Sequence, residues 1–226
     1  MRSIVGILLA LVISIVHGSA GAAVSNTDAV SGLKEALIRG SESAVGQLGK
    51  KDGFLGNAKV KIPLPGALED AAKMMKKFGM GKQADELEET MNRAAEAAVV
   101  EAKPLLINAV KQMSVKDAQG VLTGGDDAAT QYFKRTTSAP LTEKFLPIVK
   151  QATAKVQLAD KYNQFAGKAA KLNLIDQKDA NLDDYVTRKA LDGLFLMIAE
   201  EEKAIRKDPV GTGSKLLGTV FGSLLK

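Results

Sequence analysis

The stretch Leu87–Met113, LEETMNRAAEAAVVEAKPLLINAVKQM, decides the fold class. Its apolar positions Leu87, Met91, Ala94, Ala98, Leu105, Ala109 and Met113 are separated by three, four or seven residues, which places them on one helical face. The alanines on that face let a neighbouring helix approach closely. Pro104 sits inside the run and has no N–H for the preceding turn, so it is expected to kink the helix or split it in two.

The same period recurs on both sides of this stretch. Val30, Leu33, Leu37, Ala44 and Leu48 outline a first helix, opened by Thr27 or Asp28 and closed by Gly49. From Lys50 to Pro65 the pattern fails: Gly53, Gly56, Asn57, Pro63 and Pro65 mark a loop, with residues 59–62 (KVKI) as the one short segment expected to be extended. A helix then runs to Phe78 and ends at Gly79. Beyond Met113, Ser114 and Asp117 have capping-box spacing and start a short helix to Leu122. Thr123–Asp127 is a turn, followed by a helix from Ala128 to Arg135. Ser138 is expected to cap a separate helix with Pro140 in its first turn, Pro147 placed to bend it, and Leu141, Phe145, Ile148, Ala152 and Val156 on one face. A helix near 160–171 and a polar loop follow. Asn181 or Asp183 opens a strong helix whose inward face is Val186, Ala190, Leu194, Met197 and Ile198, stopped at Asp208-Pro209. Residues 214–225 carry one more amphipathic pattern. No fixed-period repeat is visible, so the expectation is one all-α domain.

Thirteen residues from Ile4 to Val16, broken only by Gly6 and Ser14, follow the positive start Met1-Arg2-Ser3. That run is shorter than the roughly 20 residues a membrane span needs. It fits a secretory leader, residues 1–22, cleaved after Ala20 or Ala22. The expected location is the periplasm, with no transmembrane span and, for want of a cysteine, no lipid anchor. The remaining chain, roughly 205 residues, suffices for one domain with its own core.

The sequence has no cysteine, no tryptophan and a single histidine, His17, which lies in the leader. Histidine triads, cysteine nucleophiles, His/Cys zinc sites and haem ligation are therefore closed to the exported chain. No cofactor-binding motif is present, and the expected class is a binding or structural protein of the envelope rather than an enzyme. Its expected partner is an envelope component or a small ligand. Ser31-Gly32-Leu33-Lys34 has the S-x-x-K spacing of penicillin-recognising enzymes but lacks their companion motifs, so chance spacing explains it. The alternative is a carboxylate-dependent glycan or peptide hydrolase or lyase, with Glu42 (next to Ser43) or Glu96 as the acid.

Charge is polarised along the chain. Between Lys50 and Lys82 eight lysines face three acids, a local net of +5 equal to the formal charge of the whole sequence. An acidic stretch from Asp85 to Glu101 follows. A third reading is thus an anionic-surface binder acting through Lys50–Lys82. Nucleic acid is not expected, since that window offers only Phe54 and Phe78 for stacking. Two carboxylate pairs, Asp126-Asp127 and Asp183-Asp184, stand at helix starts, where capping is the expected role. Polar groups nevertheless gather there beyond what capping needs. The candidate ligand surface therefore joins Thr123, Gly124, Gly125, Asp126, Asp127, Gln131, Tyr132 and Arg135 to Asp184, Tyr185, Lys189 and Asp192.

The stretch Leu122–Phe133, LTGGDDAATQYF, also carries a resemblance. Together with Gly49–Pro65 (GKKDGFLGNAKVKIPLP), Met91–Glu96, Ala139-Pro140-Leu141 and Asp183–Phe195 (DDYVTRKALDGLF), it resembles a bacterial family of exported proteins catalogued only as a domain of unknown function, over about residues 30–208. The resemblance implies a mainly helical exported protein and brings no activity with it. Some relatives are lipoproteins; this sequence departs from them in lacking the cysteine.

Overall fold

Residues 128–153 form one unbroken helix in the computed structural model, which describes residues 26–79, 81–173 and 175–208. Among the described residues it is the sixth of eight α-helices: α1 (Asn26–Leu48), α2 (Gly66–Lys77), α3 (Lys82–Val99), α4 (Ala102–Gln112), α5 (Val115–Thr123), α6 (Ala128–Thr153), α7 (Gln157–Lys171) and α8 (Leu182–Lys207), with a 3-10 turn at Gln177–Asp179 before α8. The all-α expectation holds, and no strand occurs among the described residues. The leader and the 214–225 helix lie outside them. No described helix is long and apolar enough to cross a membrane.

The centre is built from α3, α6 and α8, each packed on the other two, with α1 against α8 and α4. The stripe Phe133, Thr137, Leu141, Phe145 and Val149, spaced by four, buries one side of α6 along its length. That continuity explains why the expected break at Ser138 does not occur. Ser138 caps nothing; its hydroxyl donates to the Lys134 carbonyl (2.6 Å), as Thr137 does to Phe133 (2.6 Å) and Thr136 to Tyr132 (2.8 Å), while Pro140 and Pro147 lie inside the helix. Packing on two neighbours outweighs the hydrogen bonds those prolines remove. Pro104, by contrast, does split its run: α3 ends at Val99, and α4 begins two residues before the proline.

The loop between α1 and α2 is held inside the fold. Phe54 is fully buried, and a Cβ on Gly193 of α8 would lie 2.7 Å from its ring, so only glycine permits this approach. The 59–62 segment, expected to be extended, begins in a turn and pairs with no strand among the described residues. Val60 and Lys61 donate instead to the Asn57 carbonyl, closing a turn. Ile62 then docks on the buried Asn92 amide, which accepts its N–H (2.8 Å) and donates to its carbonyl (2.9 Å). A single side chain on α3 satisfies the backbone pair a neighbouring strand would otherwise serve.

Candidate functional site

Glycine and aspartate before α6 suggest a self-capped or anion-binding turn, but the helix start is supplied from elsewhere. Asp127 makes no cap bond; its carboxylate accepts from the Gln131 amide (2.8 Å). Glu202, on α8 and only 6% exposed, accepts the Ala129 and Thr130 N–H groups, both at 2.9 Å, and the Thr130 hydroxyl at 2.8 Å. Arg206 balances that carboxylate at 2.8 Å and also donates to the Val121 carbonyl at 2.8 Å, tying the end of α5 to the start of α6. The anion-binding capacity of this helix terminus is therefore filled by the chain itself. Asp126-Asp127 as caps is an expectation the structure corrects.

The α8 start behaves differently. Asn181 caps it, accepting the N–H groups of Asp183 (2.8 Å) and Asp184 (3.1 Å), while Asp183 accepts the Thr153 hydroxyl at 2.5 Å. Asp184 is exposed and has no ion-pair partner among the described residues.

The two catalytic candidates have structural occupations. Glu42 lies on open surface, 3.1 Å from Lys103. Glu96 is buried at 5% exposure, but one oxygen accepts the Phe54 and Leu55 N–H groups, each at 3.1 Å, and the other binds Arg93 at 2.8 Å. It anchors the buried loop, and Arg93 extends the link to Asp52 at 2.8 Å. Half of the basic window's eight lysines are paired: Lys59 meets Glu200 (2.7 Å), Lys61 meets Glu88 (3.2 Å), Lys73 meets Glu69 (3.0 Å) and Lys76 meets Asp85 (2.6 Å). Among the described residues no group of three or more His, Cys, Asp or Glu side chains converges as a metal would require.

Two open grooves flank α6, and they divide the expected surface. In an α-helix, positions two apart point about 200° from one another. Tyr132, Thr136 and Pro140 accordingly face a groove of about 470 Å³ that includes Arg135 and Asp117. Lys134, Ser138 and Thr142 face another of about 440 Å³, shared with Asp184, Thr187, Arg188, Leu191, Asp192 and Phe195 of α8. The two have no lining residue in common. The structure thus brings Tyr132 together with Arg135, and Asp184 with Asp192, but does not join the pairs. Tyr132 and Tyr185 are both buried, with hydroxyls donating to the carbonyls of Ala109 (2.7 Å) and Pro63 (3.0 Å). Burial raises both phenols, Tyr185 to about 12. Thr123 donates to the Gln119 carbonyl (2.9 Å). A Cβ on Gly124 would press on Ala128 and the Gly120 carbonyl, both at 2.6 Å, whereas Gly125 meets nothing. Lys189 stacks over Tyr185, 5.9 Å from its ring, and borders a smaller recess with Asp192.

The α6/α8 groove is the better binding candidate. Thr187 lines it at 2% exposure, and its hydroxyl is the buried side-chain polar atom that lacks a partner among the described residues. Such an orphan costs about 1–3 kcal/mol of desolvation unless something meets it. Leu191 and Phe195 supply an apolar floor. Asp184, Asp192 and Lys134 carry charges that no ion pair among the described residues matches, whereas Arg188 is held by Asp179 at 2.5 Å. Sequence reading missed Lys134, Ser138, Thr142, Thr187 and Arg188. The signal available was the α8 series 184, 187, 188, 191, 192, 195, a helical stripe mixing polar with apolar residues where a pure core face would be apolar.

A family model described as "Protein of unknown function (DUF4197)" matches residues 23–222. No curated protein matches the chain, and no solved structure does.

Proposed function

The chain belongs to this DUF4197 family of proteins of unknown function, and from that premise we propose that it is an exported, periplasmic binding protein of the envelope whose ligand lies between α6 and α8. The observation that carries the reading is the partnerless hydroxyl of Thr187 in the wall of a 440 Å³ groove. The charges around it favour a small zwitterion, such as a short peptide. An amine would sit against Asp184 or Asp192, an acid group against Lys134, and the apolar body over Leu191 and Phe195. Export is supported by the leader pattern and by the family match, which starts at Ala23, directly after the second expected cleavage point. Carboxylate acid–base catalysis gains nothing from the geometry, since Glu42 is exposed and Glu96 is taken up by loop amides and Arg93.

The test is mass spectrometry of small molecules retained by the mature protein purified from its native envelope. Wild type and the Asp127→Ala control are expected to carry the same ligand, and Ser138→Trp, which fills the groove, to lose it. Thr187→Val should weaken binding while leaving stability equal or higher, because it removes the orphan hydroxyl with its shape kept. A ligand retained by Ser138→Trp, or none on any variant, would overturn the assignment.

A further inference from the structure

We propose that α7 is an interfacial helix that rests the protein on an anionic phospholipid surface. The argument starts from its sequence, QLADKYNQFAGKAAK followed by Leu172. Leu158, Phe165 and Leu172 are seven residues apart and fall within an arc of about 40°. Phe165 is 66% exposed and Leu172 70%. Lys161 and Lys168 each follow an apolar member by three residues and lie along one side of the same arc, within about 60° of Phe165. With Lys171 they form a cationic rim, and none of the three has an ion pair among the described residues. The one acid of the helix, Asp160, points about 140° away from Phe165.

The rotation of α7 about its axis is fixed from the other side. Tyr162 donates to the Asp179 carbonyl (2.6 Å), Asn163 accepts the Leu182 N–H (2.7 Å), and Ala159, Ala166, Ala169 and Ala170 are buried. Phe165 and Leu172 are therefore held outward by the fold, while Leu158 packs partly against the core. α2 differs in degree: Met74 and Phe78 are exposed there too, but of its three lysines Lys73 and Lys76 are matched by Glu69, Asp70 and Asp85, which leaves Lys77 alone. On α7 two exposed apolar side chains coincide with three lysines that have no ion pair among the described residues. That combination is complementary to a surface with acyl chains below and phosphate charge above. It places the anionic-surface contact away from the Lys50–Lys82 window and does not depend on the groove reading.

The experiment is co-sedimentation of the full mature chain with vesicles of phosphatidylcholine, with and without phosphatidylglycerol, across a salt series. Binding is expected only to the anionic vesicles, falling steeply as salt rises. Phe165→Ser with Leu172→Ser should reduce it roughly ten-fold or more, and Lys161→Glu with Lys168→Glu should abolish it. All four side chains are exposed, so unchanged circular dichroism will show that the fold persists. Because the chain has no tryptophan, Phe165→Trp supplies a unique reporter whose emission should shift to the blue on anionic vesicles, while Val115→Trp should not respond. Three results would overturn the proposal. They are no binding at low salt, binding untouched by the α7 substitutions, or a monomer–dimer equilibrium that responds to Phe165→Ser while vesicles do not bind, which would make a second copy the occupant.

Discussion

The starts of α6 and α8 look alike in sequence and are built differently. Each has a polar turn followed by two aspartates, Asp126-Asp127 and Asp183-Asp184. At α8 the exposed amides find a cap within three residues, on Asn181. At α6 they find it on Glu202, more than seventy residues along the chain, while Asp127 turns away to Gln131. A local cap secures one helix end. A buried carboxylate reaching from another helix secures an end and also fixes how two helices sit together, so its loss reaches further.

Glu202→Ala should give the largest effect, a loss of about 3 kcal/mol, since it orphans two buried amides and takes from Arg206 the carboxylate it meets at 2.8 Å. Urea unfolding measures it, and amide exchange at Ala129 and Thr130 should rise in step. Glu202→Gln keeps one acceptor and should cost about half as much. If Glu202→Ala costs no more than a local cap, the contrast between the two ends collapses.

Alkaline pH probes the α8 end next. Tyr185 in its first turn and Tyr162, which donates just before it, are both pushed by burial to about 12. The folded state therefore favours the neutral phenols. Their contribution is complete below the ordinary tyrosine value of about 10 and is lost as pH climbs toward 12. Melting temperature should fall over that window, with a shallower fall in Tyr185→Phe. A flat profile would mean the phenols are not buried as described. Asn181→Ala is expected to be milder, about 1 kcal/mol, with fraying confined to the first turn of α8.

How far the sequence disclosed all this follows from the range of the interactions. Leu87–Met113 announced two helices divided near Pro104, because apolar spacing and a missing N–H are local properties. Ser114-Asp117 was legible as a reciprocal cap for the same reason. The unbroken α6 was not, since propensity at Ser138 and Pro140 argues for a break and only burial against α3 and α8 overrides it. Nor was the role of Asn92, whose amide replaces a strand thirty residues away. In the groove, Asp184 and Asp192 could be singled out as polar groups in excess. Lys134, Ser138 and Thr142 could not be joined to them before the antiparallel pairing of α6 and α8 was known.

The smallest effect is the sharpest check on the comparison. By composition Asp127 is the natural cap of α6, and a true N-cap aspartate replaced by alanine would cost about 1 kcal/mol. Here its carboxylate is engaged only by an exposed glutamine four residues on, and Glu202 already meets the amides it would have capped. Asp127→Ala should therefore fall within about 0.5 kcal/mol of wild type, and it should stay there when the salt concentration is changed. The double variant with Glu202→Ala adds the decisive reading. If Asp127 swings in to cap the helix once Glu202 is gone, the double variant will lose more than the sum of the two single losses, and the α6 end will prove to hold its local cap in reserve.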